Sequence, residues 1–200
     1  MQKVNFNYNY KKAVQALNHY ALKQGGSINK MKALKLIYLA DRYHLRKYGR
    51  LITNDTYFAM EYGPVPSAVK DIVERSFILG EIESKYSQKY IAQVDKRHFR
   101  SKGSVENKVF SQSDIEALDI VWKRYGSYDQ FELAKLTHKY PEWKKHKRAL
   151  DTSPRIQMAL EDLFENLENS EDDIIVLNAQ EQEDRLEQLS EMRKLEALWS

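Results

Sequence analysis

The tightest constraint on the fold lies in residues 34–69, LKLIYLADRYHLRKYGRLITNDTYFAMEYGPVPSAV, where a helical apolar pattern runs into a segment dense in turn-forming and rigid residues. Leu34, Ile37, Tyr38, Asp41 and Leu45 recur at three- and four-residue steps, the spacing of an amphipathic helix with one buried stripe. Ser27 supplies a cap before it, and Gly49 ends it after Lys47, because glycine adopts the left-handed geometry of a helix terminus at little cost. The next residues, LITNDTYFAMEY, keep no clear period. A turn at Thr53, Asn54 and Asp55 leading into one helical turn is predicted there, with Asp55 placed to cap. Pro64 and Pro66 have no backbone donor and Pro64 disfavours helical geometry at Gly63, so residues 63–66 read as a rigid loop with Pro66 at the entry of the next helix.

Helices dominate the remaining pattern. Residues 12–23 carry Val14, Leu17, His19, Ala21 and Leu22 near one side and stop at Gly25 and Gly26. Residues 67–79 bury Val69, Ile72, Val73 and Phe77, and Gly80 closes them. Within residues 81–110 the stretches 90–94 and 108–110 flank a polar turn region at Lys102, Gly103 and Ser104, which reads as a small β-hairpin. Ser113 stands three residues before Glu116, the spacing of a capping box, and opens a helix over 114–125. A short helix over 131–137, a helix over 155–167 with Pro154 at its first turn, a polar break at Asp172 and Asp173, and a last helix over 179–199 complete the chain. The expected fold is mainly α: a compact multi-helix domain with a small β-hairpin insertion over 1–150, and a helical acidic C-terminal extension over 151–200.

Charge divides at the same place. Residues 151–200 hold 14 acidic and 4 basic side chains, a net of −10, whereas residues 1–150 hold 28 basic and 15 acidic, a net of +13. A basic body with an acidic tail fits a nucleic-acid-binding body masked by its own tail, or two surfaces for a polarised protein partner, or a helical protein whose last helices are simply acidic. With a mean hydropathy of −0.69 and no window approaching the roughly 18 apolar residues a spanning helix needs, no membrane is expected. The start of the chain is polar and aromatic with no apolar leader core, so a bacterial-type cytoplasm is the expected location. There is no cysteine, hence no disulfide, thiolate zinc site or Cys nucleophile.

Several of these motifs, in this order, resemble the Panacea domain of SocA-like antitoxins and phage-associated GepA-type proteins: Lys35 to Asp41, Tyr48 to Ile52, Ala59 to Tyr62, Gly63 to Pro66, and Leu136, Thr137 and His138 with Trp143. The resemblance covers roughly residues 10–145 and leaves the acidic tail outside. It implies an antitoxin of a toxin–antitoxin pair, which binds and neutralises a cognate protein toxin encoded beside it. The family shares the domain while its toxins are diverse. One SocA-like antitoxin delivers its toxin to the ClpXP protease, which makes a protease system a candidate second partner, although no residue of this sequence supports that transfer.

The candidate toxin-binding or domain-hallmark residues are Tyr38, Asp41, Phe58, Tyr62, Gly63, Pro64, Val65, Thr137, His138 and Trp143. Gly63 to Pro66 serve either as a toxin-facing loop or as a connector setting the angle between helices. Phe58 and Tyr62 form either a binding platform or core. Asp41 and His44 are three apart on one helix, yet no third ligand stands near, so neither metal nor cofactor is expected. His138 near Trp143 could hold an anion or act as a base, but no nucleophile elbow accompanies it, and no enzyme is expected. The Lys144 to Arg148 run could contact phosphates of a nucleic acid, the alternative function being a regulator of its own operon. In the last helix Leu186, Leu189, Met192, Leu195 and Leu198 are tail-interaction candidates. Their three-residue steps drift around the helix by about 60° per interval, so the stripe spirals.

Overall fold

The computed structural model describes residues 8–76, 78–169 and 173–199. Phe77 and Asp172, both used in the sequence predictions, lie outside them. In chain order the elements are α1 (Tyr10–Lys23), β1 (Ser27–Asn29), α2 (Lys30–Tyr48), β2 (Tyr57–Met60), β3 (Gly63–Pro66), α3 (Ser67–Glu74), α4 (Glu81–Tyr90), β4 (Ile91–Gln93), β5 (His98–Ser101), α5 (Gln112–Tyr125), α6 (Gln130–Thr137), α7 (Pro141–Lys144), β6 (Ile156–Gln157) and α8 (Ala179–Trp199). The fold is mainly α, as expected, with two small antiparallel sheets ordered β1-β5-β4 and β3-β2-β6.

Helix α2 is the axis of the molecule. Every residue from Lys32 to Arg46 is buried, so the predicted one-sided stripe is real but incomplete: α1, α5, α6 and the β3 strand enclose it, and residues after 150 cover the side that carries Arg42 and Arg46. Its N-cap is Asn29, whose Oδ1 accepts from Met31 N at 3.0 Å. Ser27 instead sits in β1, paired opposite Arg100, because the antiparallel partner outcompetes a helix start two residues early. Gly49 ends α2 at φ 73°, and a Cβ there would collide with Gln188.

Four local predictions change. The segment 57–66 is a β-hairpin, with Tyr57 opposite Pro66 and Met60 opposite Gly63, rather than a helical turn and loop; β3 is an edge strand, where missing proline donors face no neighbour. Residues 81–90 form helix α4, which shows no apolar stripe because only Ser87 is buried and Ile82 is exposed. The hairpin predicted between 90–94 and 108–110 therefore runs instead from β4 to β5, with Ile91 opposite Ser101. Ser111, not Ser113, caps α5, exchanging bonds with Asp114 at 3.2 and 2.9 Å. Finally, residues 155–167 are not a helix: Ile156 pairs with Ala59 in the second sheet, and a 3-10 turn follows at Glu161–Phe164.

The tail is joined to the body through one core. Met158, Leu163, Phe164, Leu167, Leu177 and Leu189 belong to the same buried cluster as α1, α2 and α5. Arg185 of α8 donates to the carbonyls of Arg46 at 2.9 Å and Lys47 at 2.6 Å, a cation satisfying the orphan carbonyls of the α2 C-terminus. Only the middle of the α8 stripe meets the body: Leu189 is buried and Met192 half-buried, whereas Leu186, Leu195 and Leu198 are exposed. That is the consequence of the spiral.

Candidate functional site

The hallmark residues converge where α2 meets the β2–β3 hairpin. Asp41 is fully buried and collects four donors: Ile52 N at 2.5 Å, Thr53 N at 3.1 Å, the Thr53 hydroxyl, and the Tyr57 hydroxyl at 2.5 Å. Burial raises its carboxyl pKa, and these donors pull the other way. One carboxylate thus straps residues 52–57 to α2 and sets the start of β2. Asp55 does the same for α3. It accepts from Ala68 N at 3.0 Å and Val69 N at 2.9 Å, capping a helix whose adjacent residue, Pro66, supplies no side-chain acceptor. The helical turn predicted just after Asp55, with Asp55 as its cap, is strand β2 instead, and Asp55 caps α3, more than ten residues on.

The hairpin is then held on both flanks. Lys35 Nζ donates to the Pro64 carbonyl at 2.7 Å, and Trp143 Nε1 donates to the Met60 carbonyl at 2.9 Å. The His138 ring stacks on Trp143 with centroids 3.9 Å apart. Gly63 has φ 98°, and a Cβ there would sit 2.6 Å from Thr137 Oγ1; both backbone and space demand glycine. Burial brings the Lys35 amine down to about 7, and burial together with the Lys35 charge lowers His138.

Of the ten hallmark candidates, Tyr38, Asp41, Gly63, Pro64, Val65, Thr137 and Trp143 are buried, Phe58 and His138 are half-buried, and Tyr62 at the hairpin tip is 53% exposed. Phe58 carries the Arg155 guanidinium 5.0 Å from its ring centre. Asp41 and His44 do not meet through a shared ligand. His44 contacts the Arg50 carbonyl at 2.7 Å and Ser113 Oγ at 3.0 Å, and burial lowers its pKa.

A second polar cluster was not anticipated from sequence. Arg42 Nε meets Glu142 Oε1 at 2.7 Å, Nη1 meets both Asp173 oxygens at 2.9 and 3.0 Å, and Nη2 donates to the Glu165 carbonyl at 2.8 Å. Tyr38 donates to the same Glu142 oxygen, and Tyr140 lies under the guanidinium at 4.4 Å. Burial opposes the Arg42 charge, but Glu142 and Asp173 outweigh it and raise its pKa. Arg46, one turn on, donates to the Leu163, Glu165 and Ile175 carbonyls and to Asn166. Burial and the neighbouring Arg42 bring it down to about 10. The visible signal was two arginines at i and i+4 on a helix with no acidic partner in reach along it; what they pair with lies about 100 residues away or more.

The arrangement is a rigid mount for a surface. The Tyr62 tip stands at the edge of a groove of about 770 Å³ between the hairpin and the start of α6, with Phe131, 61% exposed, also lining it. No curated protein and no solved structure matches this chain. The family described as Antitoxin SocA-like, Panacea domain, matches residues 34–144, which span α2 through α7 and contain the whole hairpin mount. That match takes in more than half of the chain, and the protein belongs to the SocA-like antitoxin family with a Panacea domain.

Proposed function

We propose that this chain neutralises a cognate protein toxin, encoded beside it, by binding it directly through the surface of the folded body. The observation that carries this is the family match over 34–144. Geometry supports a binding role rather than a chemical one: Asp41 and His44 are committed to holding backbone and neighbouring side chains, and His138 is stacked on Trp143 beside a rigid hairpin. No helix among the described residues is long and apolar enough to cross a membrane.

The basic run at 144–148, the sequence feature that best served a nucleic-acid reading, is partly matched within the chain. Lys145 meets Asp162 at 2.7 Å and also Glu165, and Lys144 meets Glu168 at 3.1 Å. The tail therefore supplies carboxylates where phosphates would bind, which favours a protein partner. Co-expression with the product of each adjacent reading frame tests the proposal. A product toxic alone, tolerated with the full chain and co-purifying with it is the expected result; toxicity undiminished by the full chain overturns it.

A further inference from the structure

The groove beside Tyr62 is built from six separated segments: the start of α2, the β2–β3 hairpin, α3, the turn between β4 and β5, the start of α6, and residues 150–154. Its apolar wall is formed by Leu34, Val65 and Val73, and it is also lined by the two exposed rings of Tyr62 and Phe131. An apolar wall accompanied by exposed aromatic rings is the composition of a binding patch, since tyrosine and phenylalanine give large contact area with few rotatable bonds.

Charge around the groove is one-sided. Lys30, Lys96 and Arg97 line it, and none of them forms an ion pair among the described residues. Of the acidic residues lining it, Glu74 pairs with Lys70 at 2.5 Å and also lies near Lys30, and Glu61 stands at the hairpin tip, so two carboxylates face Lys30, Lys70, Lys96 and Arg97. Asp95, which lies near Lys30, binds His98 at 3.1 Å. The Lys35 amine lies in the floor, 1% exposed, with the Pro64 carbonyl as its one acceptor among the described residues. By contrast, Lys12 and Lys47 on the same body have carboxylate partners within the chain, Asp114 and Glu116. Of the tail, Ser153 and Pro154 line this groove and neither is acidic, while α8 is fastened to the far end of α2 by Arg185.

We infer that this groove docks an acidic amphipathic segment of a protein partner, its apolar side chains seated between Tyr62 and Phe131 and its carboxylates facing Lys30, Lys96 and Arg97. The inference rests on the direct-binding reading above and assigns it a surface and a partner chemistry. Placement explains why a rigid mount is needed: Tyr62 keeps its position only while Lys35, Trp143 and Gly63 hold the hairpin.

The test uses the full chain and two double variants at exposed positions, Lys96→Glu with Arg97→Glu and Tyr62→Ala with Phe131→Ala, each checked for wild-type unfolding. A phage-displayed library of short random peptides is selected against the wild-type chain. Expected is enrichment of peptides combining Asp or Glu with aromatic or aliphatic residues, binding that weakens with salt, and a loss of about tenfold or more in affinity for each variant, equivalent to about 1.4 kcal/mol. Enrichment of basic peptides, no enrichment, or equal binding to the variants overturns the inference. So does self-association of the wild type that both variants abolish, which would make a second copy the occupant. The co-expression assay separates the two proposals: if the wild type and both variants protect equally against a neighbouring toxin, the groove is wrong and the antitoxin reading stands; if the wild type fails to protect, the antitoxin reading fails while the peptide result still decides the groove.

Discussion

Two segments grip α2, and they grip it in opposite ways. The β2–β3 hairpin lies within the family match and is held at its base by two α2 side chains, Lys35 donating to the Pro64 carbonyl and Asp41 accepting from the Tyr57 hydroxyl, while its tip stays exposed. Residues 163–166 and 173–175 lie beyond the match and surround Arg42 and Arg46 with backbone carbonyls, Asn166 and Asp173. The hairpin presents a surface, whereas the tail seals a core. An acidic tail outside the shared domain therefore need not be an appendage waiting for a partner: here its carboxylates and carbonyls complete the burial of two cations that the shared domain leaves in its interior.

Truncation gives the largest expected break in this comparison. A chain ending at Leu150 loses Leu163, Phe164, Leu167 and Leu177 from the core and leaves Arg46 without its carbonyl acceptors. Each buried leucine or phenylalanine contributes about 1.5–3 kcal/mol, and single domains have only about 5–15 kcal/mol in total. Loss of cooperative urea unfolding is expected; a truncated chain that unfolds at the wild-type midpoint would return the tail to the status of a free arm.

A single substitution comes next. Arg42→Ala strands Glu142 and Asp173 as buried carboxylates and should cost about 3–5 kcal/mol, the range for removing one member of a buried pair. Urea denaturation reads this directly, and a shift no larger than that of an exposed lysine would show that the cluster is solvated. The last test concerns Lys35, on the hairpin side. Burial lowers its amine from 10.5 to about 7, so between about pH 7 and 10.5 the unfolded chain holds a proton that the folded chain lacks. Stability from this group therefore rises with pH across that window and is flat below it. His138, across Gly63, is the nearest other titrating group and is already neutral there. Unfolding midpoints at a series of pH values should show the rise in the wild type and its loss in Lys35→Met.

Local punctuation made much of the helical frame legible. Gly49 ends α2 where the sequence places the stop, and the α6 and α8 spans follow their apolar and polar periods. The failures share a cause. Helix α4 has almost no buried residue, so it carries no stripe to detect. Residues 155–167 have helical spacing, yet Ile156 gains a strand partner in Ala59 about 100 residues away, and tertiary pairing overrides propensity. In the site, Gly63 and Trp143 stood out by residue type, whereas Lys35 and Glu142 looked like ordinary charged helix residues until burial made them essential.

What the sequence determined alone was whatever depends on neighbours a few residues apart: helix periods, the glycine that must sit at positive φ, and the division of charge between body and tail. The tertiary structure decided which polar groups would be buried, because desolvating Asp41, Arg42 or Arg46 is tolerable only when donors and acceptors arrive from elsewhere in the chain. Those arrivals come from residues 52–57 for Asp41 and from residues 142–175 for the two arginines. No local pattern encodes such a meeting; it exists only once the chain has closed around α2.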